Sequence, residues 1–97
     1  MEEKEYVVYI LECADGTLYT GVTTNLPRRL EQHRAGTGAK YTRGRGPLHL
    51  KWVERGKTRS EALRREREIK AMKRPDKDRL IQESGLKDET PKKFSKS

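Results

Sequence analysis

The run Val7-Val8-Tyr9-Ile10-Leu11-Glu12-Cys13-Ala14-Asp15-Gly16-Thr17-Leu18-Tyr19-Thr20-Gly21 decides how this chain folds. Two β-prone stretches flank Asp15-Gly16, the strongest short-range signal for a hairpin. Loop length sets where the two tyrosines point. A two-residue loop pairs Ala14 with Thr17 and puts Tyr9 and Tyr19 on opposite faces. A three-residue loop, with Gly16 left-handed as a bulge, pairs Cys13 with Thr17. Tyr9 then faces Gly21, Tyr19 faces Leu11, and both tyrosines share one face. The second arrangement is the expected one. It leaves an open spot at Gly21, opposite Tyr9, where a ligand can approach the sheet.

Outward from the hairpin, Asn25 is a helix N-cap and Pro27 sits inside the first turn. The helix is expected over about 26–35, with Leu26 and Leu30 on its apolar face. At about 100° per residue, His33 falls about 20° from Leu26 and Arg29 about 60° from it. Arg28 points to solvent, so Arg29 is the arginine aimed at the sheet. Residues 36–47 form a glycine-rich loop in which Lys40, Arg43 and Arg45 surround Tyr41. Cations, flexible backbone and an aromatic ring suit a phosphate backbone with a base to stack on. The loop lacks the Lys-Ser/Thr ending of a P-loop. Residues 48–54 alternate as a third strand, with Leu48, Leu50 and Trp52 expected on one face. Thr58-Arg59-Ser60-Glu61 is a capping box for a helix over about 59–73. On it Glu66 lies about 40° from Ala62, in the apolar stripe with Ile69. A carboxylate there is paired or binds a metal. An ion pair with Arg29, or a helix end that escapes burial, would also account for it. A short third helix starts at Pro75 and ends near Ser84-Gly85.

The chain has 97 residues, 39% of them charged and 31% hydrophobic, which bounds it to one domain with a small core. The domain is expected over residues 1–85, with a flexible lysine-rich tail over 86–97. Formal net charge is +8. Residues 1–27 carry net −4, residues 28–74 net +11 and residues 75–97 net +1. A basic block inside a folded domain points to a polyanion partner, above all nucleic acid. The lone Cys13 excludes an internal disulfide and a cysteine-built zinc site. No stretch reaches the roughly 20 apolar residues of a membrane span, and the acidic N-terminus has no signal-peptide core. A cytoplasmic monomer is expected.

These residues carry a resemblance. Val7-Val8-Tyr9 and Tyr19-Thr20-Gly21 resemble the two halves of the GIY-YIG nuclease motif. Arg29 and Glu66 match, in order, the arginine of that family's first helix and the metal-binding glutamate of its next. His33 matches a position that relatives fill with His or Tyr. The similarity covers about residues 5–80. It is closest to small standalone members. Through the run 28–33, with Thr42-Arg43 after it, it also resembles the nuclease subunit of the eukaryotic branched-DNA endonuclease. It is similar, more distantly, to the nuclease domain of the bacterial excision-repair incision protein. Val7 replaces the first glycine, and Val22 stands where several relatives place a lysine.

The resemblance implies an α/β domain: a three-stranded antiparallel sheet flanked by about three helices. It implies a metal-dependent endonuclease acting on DNA. Glu66 would hold one Mg²⁺ or Mn²⁺, and Arg29 would face the non-bridging phosphate oxygens. Tyr19 leads as the group that orients or deprotonates water, with His33 a second base candidate and Tyr9 in support. Single-stranded, branched and damaged DNA, and RNA, stay open as substrates, and a protein partner could supply targeting. The alternative is a basic nucleic-acid-binding module whose nuclease site has decayed. A third reading is a basic structural protein of ribonucleoprotein particles.

Overall fold

The structure, a computed structural model, describes residues 4–35 and 48–84. Along the chain run β1 (Tyr6–Glu12), β2 (Leu18–Thr23), α1 (Leu26–Arg34), β3 (His49–Lys57), α2 (Arg59–Ala71) and α3 (Arg74–Ser84). The three strands form one antiparallel sheet in the order β2-β1-β3. The fold is the expected small α/β domain. The expected boundary at residue 85, the tail after it and the loop bearing Lys40, Tyr41, Arg43 and Arg45 lie outside the described residues.

The hairpin closes through the three-residue loop. Gly16 takes φ +87°, which a side chain rarely permits. The Cys13 amide donates to the Thr17 carbonyl at 2.9 Å, and the Gly16 amide to the Cys13 carbonyl at 2.9 Å. Tyr9 then pairs with Gly21 and Leu11 with Tyr19. A side-chain hydrogen bond from Thr17 to Asp15, 2.7 Å, closes the turn locally. From α3, the Arg74 guanidinium donates to the Gly16 carbonyl at 2.8 Å and ties the turn down.

Because β1 is central, both of its faces are covered. One face, with Val7, Tyr9 and Leu11, packs with Cys13, Leu26 and Leu48, and Tyr19, Leu30, Leu50 and Val53 border it. The other, with Val8 and Ile10, packs with Trp52, Ala62 and Ile69, bordered by Leu80 and Ile81. So α1 covers one side of the sheet, while α2 and α3 cover the other. A near-continuous apolar run in β1 is what a strand buried on both faces needs.

Strand β3 departs from the expected alternation. Leu50 borders the α1-side cluster, but Trp52 is buried, 2% exposed, on the α2 side. The cause is a bulge: Leu11 pairs with Leu50 and Ile10 with Trp52, so Lys51 is extra. A second irregularity lies between Tyr6 and Val8, where Gly56 on the partner strand has φ +79°. The strand also continues to Lys57, past the expected end at Glu54. Helix α2 opens with the complete Thr58–Glu61 capping box and ends at Ala71, two residues early. Arg65 lies 5.6 Å over the Trp52 ring, with Nε 3.1 Å from a Glu54 oxygen. The guanidinium covers the indole face while a carboxylate neutralises it.

Candidate active site

The α1 side of the sheet gathers three rings at its open spot. Tyr9 and Tyr19 have centroids 6.3 Å apart, Tyr9 and His33 5.9 Å, and Tyr19 and His33 5.4 Å. Tyr9 is fully buried and His33 is 2% exposed, while Tyr19 stays partly open to solvent. Gly21 creates the space. A Cβ built there would lie 2.5 Å from the Tyr9 hydroxyl oxygen and 3.0 Å from the Tyr19 ring. The Tyr9 side chain therefore crosses β2 where no side chain stands, and its oxygen reaches His33 Nε2 at 2.9 Å.

Helix α1 brings Arg29 to the same place. Its N-cap holds as expected, with the Arg28 amide donating to the Asn25 side chain at 3.2 Å. Arg28 is exposed and Arg29 half-buried, which is the division the helical phase predicts. The Arg29 pKa is raised, first by hydrogen bonding to Tyr9, against burial that lowers it, and further by a hydrogen bond to Tyr19. Gln32, which the sequence pattern did not single out, accepts from Arg29 Nη1 at 3.1 Å and so orients the guanidinium. Its i,i+3 spacing from Arg29 was the available signal.

The protonation states follow from burial. Desolvation is the largest cause raising the Tyr9 pKa, to about 12, against the hydrogen bond from Arg29 that lowers it. Tyr9 is thus a neutral donor at physiological pH. Burial, then the Arg29 charge, pushes the His33 pKa down, so its imidazole is neutral. Arg29 has only donors. It supplies hydrogen to the Tyr9 oxygen, which is also hydrogen-bonded with His33 Nε2 at 2.9 Å.

Glu66 approaches from the other side of the sheet. Its charge contributes to raising the Tyr9 pKa, so its field reaches the ring cluster. Arg65, the preceding residue, sits against β3. Glu66 lies about 100° further round the helix from Arg65. It is not in the middle of the apolar stripe, where Ala62 and Ile69 are buried; its side chain is 21% exposed. Its ion pair is with Lys70 at 3.1 Å, an i,i+4 neighbour, and not with Arg29. Among the described residues no group of three or more His, Cys, Asp or Glu side chains could hold a metal together. A cation here would rest on one carboxylate, waters and the substrate. That donor set fits Mg²⁺, a hard ion that keeps several waters. No helix of the described residues is long and apolar enough to cross a membrane.

Comparison with known proteins places the chain in a family. The chain is 54% identical over 77 residues to a UPF0213 protein of Natronomonas pharaonis, covering 79% of this chain and 91% of that one. It is 50% identical over 82 residues to a UPF0213 protein of Oceanobacillus iheyensis, covering 84% and 94%. The solution NMR structure of a UPF0213 protein from Bacillus halodurans superposes with TM-score 0.62 at 44% identity, covering 96% of this chain and 99% of that chain. These relatives come from archaea and bacteria, and their names carry no activity. The likeness to the eukaryotic branched-DNA endonuclease and to the bacterial excision-repair incision protein rests on the quoted residues alone. Residues 5–80 match the GIY-YIG catalytic domain, the span that holds both tyrosines, Arg29, His33 and Glu66. The chain belongs to the GIY-YIG family, as a small UPF0213 member with a nuclease-type domain.

Proposed function

We propose that the chain is a divalent-metal-dependent endonuclease that hydrolyses DNA phosphodiester bonds. One observation carries the reading: at the opening left by Gly21, a half-buried arginine meets two tyrosines and a buried histidine. Hydrolysis needs a positioned water, a proton acceptor and stabilisation of charge on the non-bridging oxygens. Arg29 supplies the permanent forked charge, held in direction by Gln32. Tyr9, neutral up to about pH 12, is a hydrogen-bond donor and not the base. His33 is buried with Nε2 committed to Tyr9, so it positions that hydroxyl. Tyr19, partly exposed beside them, is the group left to orient and deprotonate the attacking water. Glu66 would hold one Mg²⁺ or Mn²⁺, which as a Lewis acid polarises the phosphate when bound.

The test is nicking of supercoiled plasmid by purified protein with Mg²⁺, Mn²⁺ or chelator. Glu66→Gln should nearly abolish nicking while the protein stays folded and binds DNA at least as well as the wild type. A variant that nicks at the wild-type rate would remove Glu66 from the chemistry. A wild type that binds but never cuts DNA would make the chain a binding module with a decayed site.

A further inference from the structure

A cleft of about 420 Å³ adjoins the ring cluster where the start of β1, the end of β2 and the first turns of α1 meet. Its size falls at the lower end of the roughly 300–1,000 Å³ range of ligand sites. Lys4, Arg28 and Arg29 line it, and no carboxylate does. Two other clefts among the described residues mix cations with carboxylates. One combines Lys57, Arg64 and Arg65 with Glu54, Glu61 and Glu68. Another sets Glu5 beside Lys4 and Arg55. Lys4 and Arg28 are exposed, and neither forms an ion pair with a described residue. Cations gathered around one concavity repel each other, and an anion placed between them relieves that repulsion.

Arg29 belongs to both places: it touches the tyrosines and it lines the cleft. Anything in the cleft is therefore within one side-chain length of the site where the scissile phosphate would sit. On a nucleic-acid strand the charge repeats about every 3.4 Å of axis, so a neighbouring phosphate must fall close by. Tyr6, Thr23 and Thr24 also line it. An aromatic face and short polar groups suit the base and sugar of a nucleotide.

Building on the nuclease reading, we propose that this cleft is the subsite for the nucleotide next to the scissile phosphate, with Lys4 and Arg28 gripping its phosphate. Arg28, which helical phase alone assigns to solvent, then has a task of its own: it fixes the substrate strand while Arg29 serves the reacting phosphate.

A short oligothymidylate titrated into isotopically labelled full-length protein, without divalent metal, separates this subsite from the reading beneath it. The amide signals of Thr23, Thr24 and Arg28 should shift together with those of Tyr19 and His33. Shifts at Tyr19 and His33 without any at Thr23, Thr24 and Arg28 would overturn the subsite and leave the nuclease reading standing. Shifts at neither would overturn both. Lys4→Gln with Arg28→Gln should weaken binding at unchanged melting temperature. The salt dependence of binding should fall by about 0.7 for each lost contact. The charge-matched Lys77→Gln with Arg79→Gln on α3 should leave binding as it is. Equal losses from both pairs would show only general attraction to a basic surface and overturn the proposal.

Discussion

Arg28 and Arg29 are adjacent in sequence, equal in charge, and differ only in direction. That difference makes a test of the site at single-residue scale. Arg29→Ala should lower the cleavage rate by about 10²–10³, the usual cost of losing one group that stabilises a transition state. Arg28→Ala should weaken substrate binding and leave the rate at saturation near wild type. Equal losses in rate would make both arginines generic cations. Gly21→Ala probes the opening itself. The new methyl must displace the Tyr9 hydroxyl, 2.5 Å away, and break its 2.9 Å contact with His33. Overpacking of this kind costs about 1–3 kcal/mol, and here activity should go with it. A Gly21→Ala protein with wild-type activity would show that the Tyr9–His33 contact is dispensable. His33 also carries a pH signature. Its folded pKa lies below the ordinary 6.5, chiefly through burial. The unfolded chain then binds the proton more tightly than the folded one, so stability is full above pH 6.5 and falls as pH drops below it. His33→Gln should flatten the melting temperature across that acidic window. An unchanged slope in the variant would assign the acid sensitivity to other groups.

Elements show where one-dimensional patterns carry information and where they fail. The hairpin was legible because turn chemistry is local: Asp15-Gly16, with room for a left-handed glycine, fixes the register and hence the shared tyrosine face. Helical phase was equally legible for Arg29 and His33 on α1, since a helix that packs on a sheet must turn one stripe inward. Strand β3 was not. Strict alternation puts Leu50 and Trp52 on the same side, and nothing local marks Lys51 as the bulged residue. Its extra step is set by pairing with β1, a tertiary constraint. Glu66 was legible as an unusual carboxylate, but its partner was not. The helix offers Lys70 one turn on, and that short-range pair forms where a longer reach to Arg29 was considered. The bulge makes its own prediction. Deleting Lys51 restores alternation and drives Trp52 toward the α1 side, so the domain should lose most of its stability. Lys51→Ala removes a side chain that makes one 3.8 Å ion pair near the surface, and its effect should stay within about 0.5 kcal/mol. If the deletion melts like wild type, the bulge does not set the face of Trp52.

At the scale of the whole molecule, charge is sorted along the chain. The hairpin segment 1–27 is acidic at net −4, and residues 28–74 carry net +11. Folding does not mix them evenly, because several cations are already committed. Arg65 serves Glu54 and Glu68, Lys70 serves Glu66, and Arg74 serves Asp78 and the hairpin turn. Near the site stand Arg28 and Arg29 with Lys4, and the sequence adds Lys40, Arg43 and Arg45 in the stretch 36–47. A set of this size reaches about three to five phosphates. The logarithm of duplex affinity should then fall against the logarithm of salt with a slope of roughly −2.7 to −4.5, at about 0.9 per phosphate. Replacing Lys40 or Arg43 by Ala should each lower the slope by about 0.9 without changing the melting temperature. Tyr41→Ala should instead weaken binding by about 1–3 kcal/mol with the slope unchanged, if its ring stacks on a base. Measuring affinity across a salt series for each variant separates charge from stacking on one plot. A wild-type line that is flat in salt would remove the basic block from the interface and leave the ring cluster without the electrostatic attraction that brings a strand to it.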